Sequence, residues 1–107
     1  MKKALEGAHH LLNPEGTLLA TVSGIVQISH FDTDRWGDYW RFTTASAHKL
    51  FEPVFKGAVK IESFGNVLAA TAFLQGVAVE DLPDEKLLDE IDPDYQVVIC
   101  VVARKTL

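Results

Sequence analysis

Apolar residues recur at helical spacing from the start of the chain. Ala4, Leu5, Ala8, Leu11 and Leu12 fall at three- and four-residue intervals over residues 2–12 and predict an amphipathic helix, which the turn chemistry of "NPEG" at 13–16 ends. "TLLATVS" at 17–23 is short and mostly apolar or β-branched, so it reads as a strand covered on at least one face. A second helical pattern spans 45–55, with Ala47, Leu50, Phe51, Val54 and Phe55 on its inner side. Thr44 is its expected N-cap, and Pro53 is expected to shorten or bend it. "VKIESF" at 59–64 alternates as a strand does. "VLAATAFLQ" at 67–75 is apolar nearly all round, which predicts a helix buried on most sides, capped by Asn66 and stopped by Gly76. "LPDEKLLDEI" predicts a short acidic surface helix with Leu87, Leu88 and Ile91 inward, and the Val-rich run Tyr95 to Arg104 predicts a strand inside a sheet.

A helix between the strands at 17–23 and 59–64 predicts a right-handed crossover, and hence two parallel strands. Ser23-Gly24 and Phe64-Gly65-Asn66 then leave the sheet at one end, where open α/β sheets bind ligands. Residues 31–43, "FDTDRWGDYWRFT", hang from that end. They carry a dense set of aromatic and charged side chains with neither a helical nor a strand period. Such a segment serves either as a binding loop or as a cap on the core. The expectation is mainly a cap: Trp36, Tyr39, Trp40 and Phe42 cover the top of the sheet while Arg35 and Arg41 pair with Asp34 and Asp38.

The chain has 107 residues, 48% hydrophobic and 23% charged, which predicts one globular domain over 1–107. A net charge of −5, with no basic stripe, argues against nucleic acid as a partner. Eight of the fifteen carboxylates lie in residues 80–94, without the alternation or turn glycine of a calcium loop, so they read as a solvated edge. Cys100 is the sole cysteine, which precludes an internal disulfide and marks a core thiol. "MKKALEGAHHLL" is too broken by Gly7, His9 and His10 for a signal peptide or membrane span, so a soluble cytoplasmic protein is expected. Three histidine groupings are weak candidates for chemistry. His30, Asp32 and Asp34 would gather a metal only on extended backbone, and His9 and His10 diverge by about 100° on a helix. His48 and Glu52 form a surface i, i+4 pair with no nucleophile beside them. No metal ligand and no catalytic residue is assigned.

The runs "LLNPEGTLLATVSGIVQIS", "DRWGDYWRFT", "FGNVLAATAFLQGVAVEDL" and "DPDYQVVICVVARK" occur in the order found in the C-terminal half of bacterial class I S-adenosylmethionine-dependent methyltransferases, which the chain resembles over nearly its whole length. The resemblance implies a partial Rossmann-like α/β fold. Its sheet would be three-stranded and mixed, with 17–23 and 59–64 parallel and 95–104 antiparallel between them. It also implies that Trp36, Asp38, Tyr39, Trp40, Arg41, Gly65 and Asn66 stand at the acceptor pocket as substrate-binding residues. That family holds its cofactor with a Gly-rich loop and an acidic residue of its N-terminal half, and the 107 residues contain no G-x-G-x-G. No cofactor is therefore expected on the isolated chain. The implied function is a methyltransferase-like fragment, inactive alone, completed by an N-terminal methyltransferase half in trans. The alternative is a non-catalytic module that self-associates or binds protein. The strand at 17–23 has no charge or proline to protect an edge, so a two-fold homodimer is the expected assembly.

Overall fold

The computed structural model describes residues 1–106. The chain forms α1 (Lys2–Leu11), β1 (Thr17–Ser23), α2 (His30–Thr33), α3 (Thr44–Phe55), β2 (Val59–Phe64), α4 (Val67–Gln75) and β3 (Val98–Arg104). The acidic helix expected over 82–91 shortens to a 3-10 turn at Glu85–Asp89, and a further 3-10 turn at Val79–Asp81 is separated from it by Leu82, Pro83 and Asp84. Proline has no amide hydrogen to continue a helical ladder, which accounts for the break. The irregular segment also contains one turn of helix, α2, which the sequence pattern does not reveal. The Ser29 hydroxyl accepts from the Asp32 amide to start it.

The sheet order is β1-β3-β2, and both pairings are antiparallel. Thr17 lies opposite Arg104 and Ser23 opposite Val98, while Val59 lies opposite Ala103 and Phe64 opposite Val98. This corrects the expected mixed α/β sheet with two parallel strands. Every ladder is antiparallel, and the fold is α+β: a three-stranded open sheet with helices. β3 lies between β1 and β2, the place the resemblance implied for it, and runs antiparallel to each, so no parallel ladder forms. The central place goes to the strand with apolar side chains on both faces, Ile99, Val101 and Ala103 on one and Val98, Cys100 and Val102 on the other.

One face of the sheet is finished. Leu5 of α1 and Ala47, Phe51 and Phe55 of α3 pack on Ile99, Val101 and Ala103, with Leu18, Ala20, Val22, Val59 and Ile61 around them. Phe55, Ile99 and Val101 are fully buried, each contributing roughly 1.5–3 kcal/mol of apolar transfer. The His9 ring meets Phe55 edge-on at 5.2 Å. The cap of α3 lies one residue before the expected Thr44: Thr43 and Ser46 exchange side-chain and backbone bonds as a capping box, and Thr44 is already helical. Pro53 lies in the final turns of α3, where Lys56 at φ 52° ends the helix.

The other face is bare. Leu19 is 73% exposed, and Val102 and Phe64 are each 41% exposed. α4 does not cover this face; its packing contacts run to the 3-10 turn at Glu85–Asp89. Only Ala70 and Ala72 of α4 are buried, and Val67, Phe73 and Leu74 are more than half exposed. A helix buried on most sides is thus corrected to one seated on its small residues. Leu87 and Leu88 are half-buried as the sequence pattern implies, whereas Ile91 is exposed.

Candidate functional site at the end of the sheet

β1 and β2 both leave the sheet beside residues 95–97. Gly24 donates its amide to the Val97 carbonyl, and Val97 donates to the Phe64 carbonyl. Backbone therefore crowds this end. A Cβ at Gly24 would collide with the Gln96 carbonyl, and one at Gly65 would stand 2.5 Å from Val97 Cγ2, at a φ of +125° that side chains avoid. Gly65 is required by this close approach.

Asn66, the next residue, is buried and fully occupied. Its Oδ1 accepts from the Ala69 amide at 2.9 Å, capping α4. Both hydrogens of Nδ2 are donated, to the carbonyls of Leu87 and Glu90, each at 2.8 Å. One side chain thus starts α4 and ties it to the acidic segment.

The excursion from Gly24 to Thr43 is organised by Asp38 and Arg41. Asp38 accepts from the Ser29 amide at 2.9 Å and receives Arg41 Nη1 and Nη2 at 2.7 and 3.0 Å, a bidentate pair. Arg41 also donates from Nη1 to the Trp40 carbonyl, from Nη2 to the Gln27 carbonyl and from Nε to the Val26 carbonyl. All five guanidinium hydrogens are thereby used within the chain. The hydrogen bonds from Arg41 and Ser29 pull the Asp38 carboxyl down from 3.8 to about 2, and the carboxylate raises Arg41 in return. The expected pair of Arg41 with Asp38 forms. The expected pair of Arg35 with Asp34 is replaced: Arg35 donates to the Phe31 carbonyl and lies 3.5 Å over the Phe31 ring.

The aromatic residues held by this frame face outward. Trp36 is 65% exposed, Tyr39 77% and Trp40 61%, which corrects the expected cap on the core; Phe42 alone turns in and packs against it. Trp36 meets Phe31 edge-on at 6.0 Å, and the Tyr39 ring lies against Gly37, where a Cβ would collide with it. The reason is geometric. α1 and α3 already cover the inner face of the sheet, and the excursion runs past its end.

The seven residues expected at the acceptor pocket do not converge on one cavity. Arg41 lines an open cleft of about 480 Å³ with Gly24, Phe42, Thr43, Asp94 and Gln96. Asn66 lines another of about 450 Å³ with Leu68, Leu87, Glu90 and Asp92, on the other side of Pro93. Trp40 borders a third hollow beside Ser46, Lys49 and Leu50 of α3. Gln96 joins these regions and is not singled out by the sequence. Its Oε1 accepts from the Thr44 amide at 2.7 Å, and its Nε2 donates to Thr44 Oγ1 and the Pro93 carbonyl. A polar residue leading into an apolar strand is the one signal that could have marked it.

Among the described residues no three His, Cys, Asp or Glu side chains are grouped to hold a metal ion. His30 and Asp32 sit on the single turn of α2, where residues two apart diverge. His48 and Glu52 pair at 2.9 Å on the exposed side of α3. No described helix is long and apolar enough to cross a membrane. No protein family model matches the chain, and no curated protein or solved structure matches it.

Proposed function

We propose that this chain is a cytoplasmic, methyltransferase-like segment that contributes the acceptor side of an active site. It carries no S-adenosylmethionine site of its own, and a cofactor-bearing half supplied by another chain completes it. The observation that carries this proposal is the aromatic group Trp36, Tyr39 and Trp40, held in place by the Asp38–Arg41 frame yet left exposed. Ordering large rings without burying them costs solvation and entropy with no return in the folded chain, which favours a surface that a ligand or partner covers. Flat aromatic walls of this type suit an acceptor pocket, while Asp38, Arg41 and Asn66 act as its scaffold. The sequence resemblance supplies the reaction class.

A second proposal, a non-catalytic protein-binding module, draws on the exposed Val67, Phe73 and Leu74 of α4 and the bare sheet face. Calorimetric titration with S-adenosylmethionine separates the two. The chain alone is expected to give no binding heat. Mixed with the N-terminal half of a class I methyltransferase, it is expected to restore binding that the half lacks by itself, and Trp40→Ala should weaken methyl transfer without removing that binding. A Kd of about 10 µM or tighter for the chain alone, roughly −7 kcal/mol, would overturn the need for a second half. Capture of a protein partner with no cofactor dependence in any mixture would favour the module.

A further inference from the structure

The two edges of the sheet differ in how they are protected. β2 carries Lys60 and Glu62, paired at 3.0 Å, and charge of this kind discourages strand addition. β1, "TLLATVS", has no charge and no proline along its seven residues. Its free backbone groups can be assigned from the ladder. Lys105 donates to the Gly16 carbonyl and Gly24 to the Val97 carbonyl, so the hydrogen-bonded positions of β1 are the even ones, Leu18, Ala20 and Val22. The amides and carbonyls of Thr17, Leu19, Thr21 and Ser23 therefore point to the open edge. One of them is taken: the Ser23 carbonyl accepts from the Phe42 amide at 2.8 Å, and the backbone of Phe42 fills the space beside it. Among the described residues no bond from outside the ladder reaches Thr17, Leu19 or Thr21.

We infer that two copies of the chain pair through β1 about a two-fold axis that passes between their Leu19 residues. Self-pairing about a two-fold axis is antiparallel, and outward-pointing residues must meet outward-pointing residues. An axis at Ala20 or Thr21 would bring Ser23 into the ladder, against the position Phe42 occupies. An axis at Leu18 would leave Thr21 opposite Glu15, beyond the strand. Only Leu19 opposite Leu19, with Thr17 opposite Thr21 on both sides, satisfies every free donor and acceptor of these three residues and leaves Ser23 to Phe42. The same register joins the two Leu19 side chains, 73% exposed in one copy, on the bare face beside Val102. With no charge on either strand, nothing is repelled across the axis.

This inference does not rest on the methyltransferase proposal. It does constrain it, since a cofactor-bearing half that extended the sheet through β1 would have to displace the second copy.

Light scattering at micromolar concentration should give twice the 11.8 kDa chain mass. Leu19→Pro removes an amide that faces away from β3, so the internal ladder survives and the mass should fall to the monomer. Ser63→Pro, the matching change on β2, should leave the dimer intact. Amide hydrogen exchange on the unaltered protein checks the register independently: Thr17, Leu19 and Thr21 should lose protection together on dilution. A monomeric mass for the unaltered chain would overturn the inference. So would a dimer that persists in folded Leu19→Pro, or one lost in Val102→Asp while those three amides exchange freely, which would indicate stacked sheet faces.

Discussion

At the scale of single residues, the polar groups near the sheet end are spent on the chain itself. Asp38 is the clearest case, because its folded value of about 2 lies below the ordinary 3.8, with Arg41 as the main cause. A depressed carboxylate stabilises the fold where it is ionised in both states, above about pH 4. That contribution is lost as pH falls through about 2. Asp38→Asn keeps the size and one acceptor but removes the charge, so it should be less stable than the unaltered protein at neutral pH. The gap should hold down to about pH 4 and narrow toward pH 2, read from urea midpoints at a series of pH values. A gap that does not change with pH would mean that the ion pair contributes nothing beyond its shape. The Asp38–Arg41 pair is legible in the sequence, since three residues allow contact in almost any compact turn. The Val26 and Gln27 carbonyls that complete Arg41 are not legible there, because they lie more than ten positions away.

At the scale of elements, the boundaries of β1, β2 and α4 follow from local chemistry: alternation, a capping Asn and a stopping Gly. α4 nevertheless packs weakly, with its contacts directed to the turn at Glu85–Asp89. Asn66 is what joins them. Asn66→Ala should cost about 2 kcal/mol, one part for the lost cap and the rest for the two hydrogen bonds withdrawn from the part-buried Leu87 and Glu90 carbonyls. Asn66→Asp tells these apart, because a carboxylate still caps the helix but cannot donate to Leu87 and Glu90. Its expected stability in urea unfolding is no better than that of Asn66→Ala. Recovery to the level of the unaltered protein would reduce Asn66 to a cap. The burial of α4 is where helical periodicity misled. Apolar character on all sides says that a helix can be covered, and only the placement of neighbours says that it is.

At the scale of the whole molecule, the fold is a slab with one finished side. Its extents are 48 × 33 × 21 Å, and its radius of gyration is 15.9 Å, against about 13 Å for a compact domain of this length. The core is correspondingly thin, so the residues within it should dominate stability. Phe55→Ala is expected to cost about 3–5 kcal/mol, enough to unfold a small domain of ordinary stability, whereas Trp36→Ala should change stability by less than about 1 kcal/mol despite the larger ring removed. Chemical denaturation of the two variants measures the contrast directly. Equal losses would show that Trp36 is buried in solution, by a second copy or by its own chain.

By itself, the sequence determined the position of nearly every element, because strand alternation, helical spacing, caps and turn residues act within a few positions of one another. It also determined that β3 would be an interior strand, since its side chains are apolar on both faces. Tertiary structure decided the rest. Which ladders form depends on how distant segments meet, and both ladders of the central β3 run antiparallel, which makes the sheet α+β in place of the expected mixed α/β one. Whether Trp36, Tyr39 and Trp40 cap the core or face outward depended on α1 and α3 having already filled the one face available. Neither outcome leaves a mark in the local pattern, because each is settled by contacts between residues far apart in the chain.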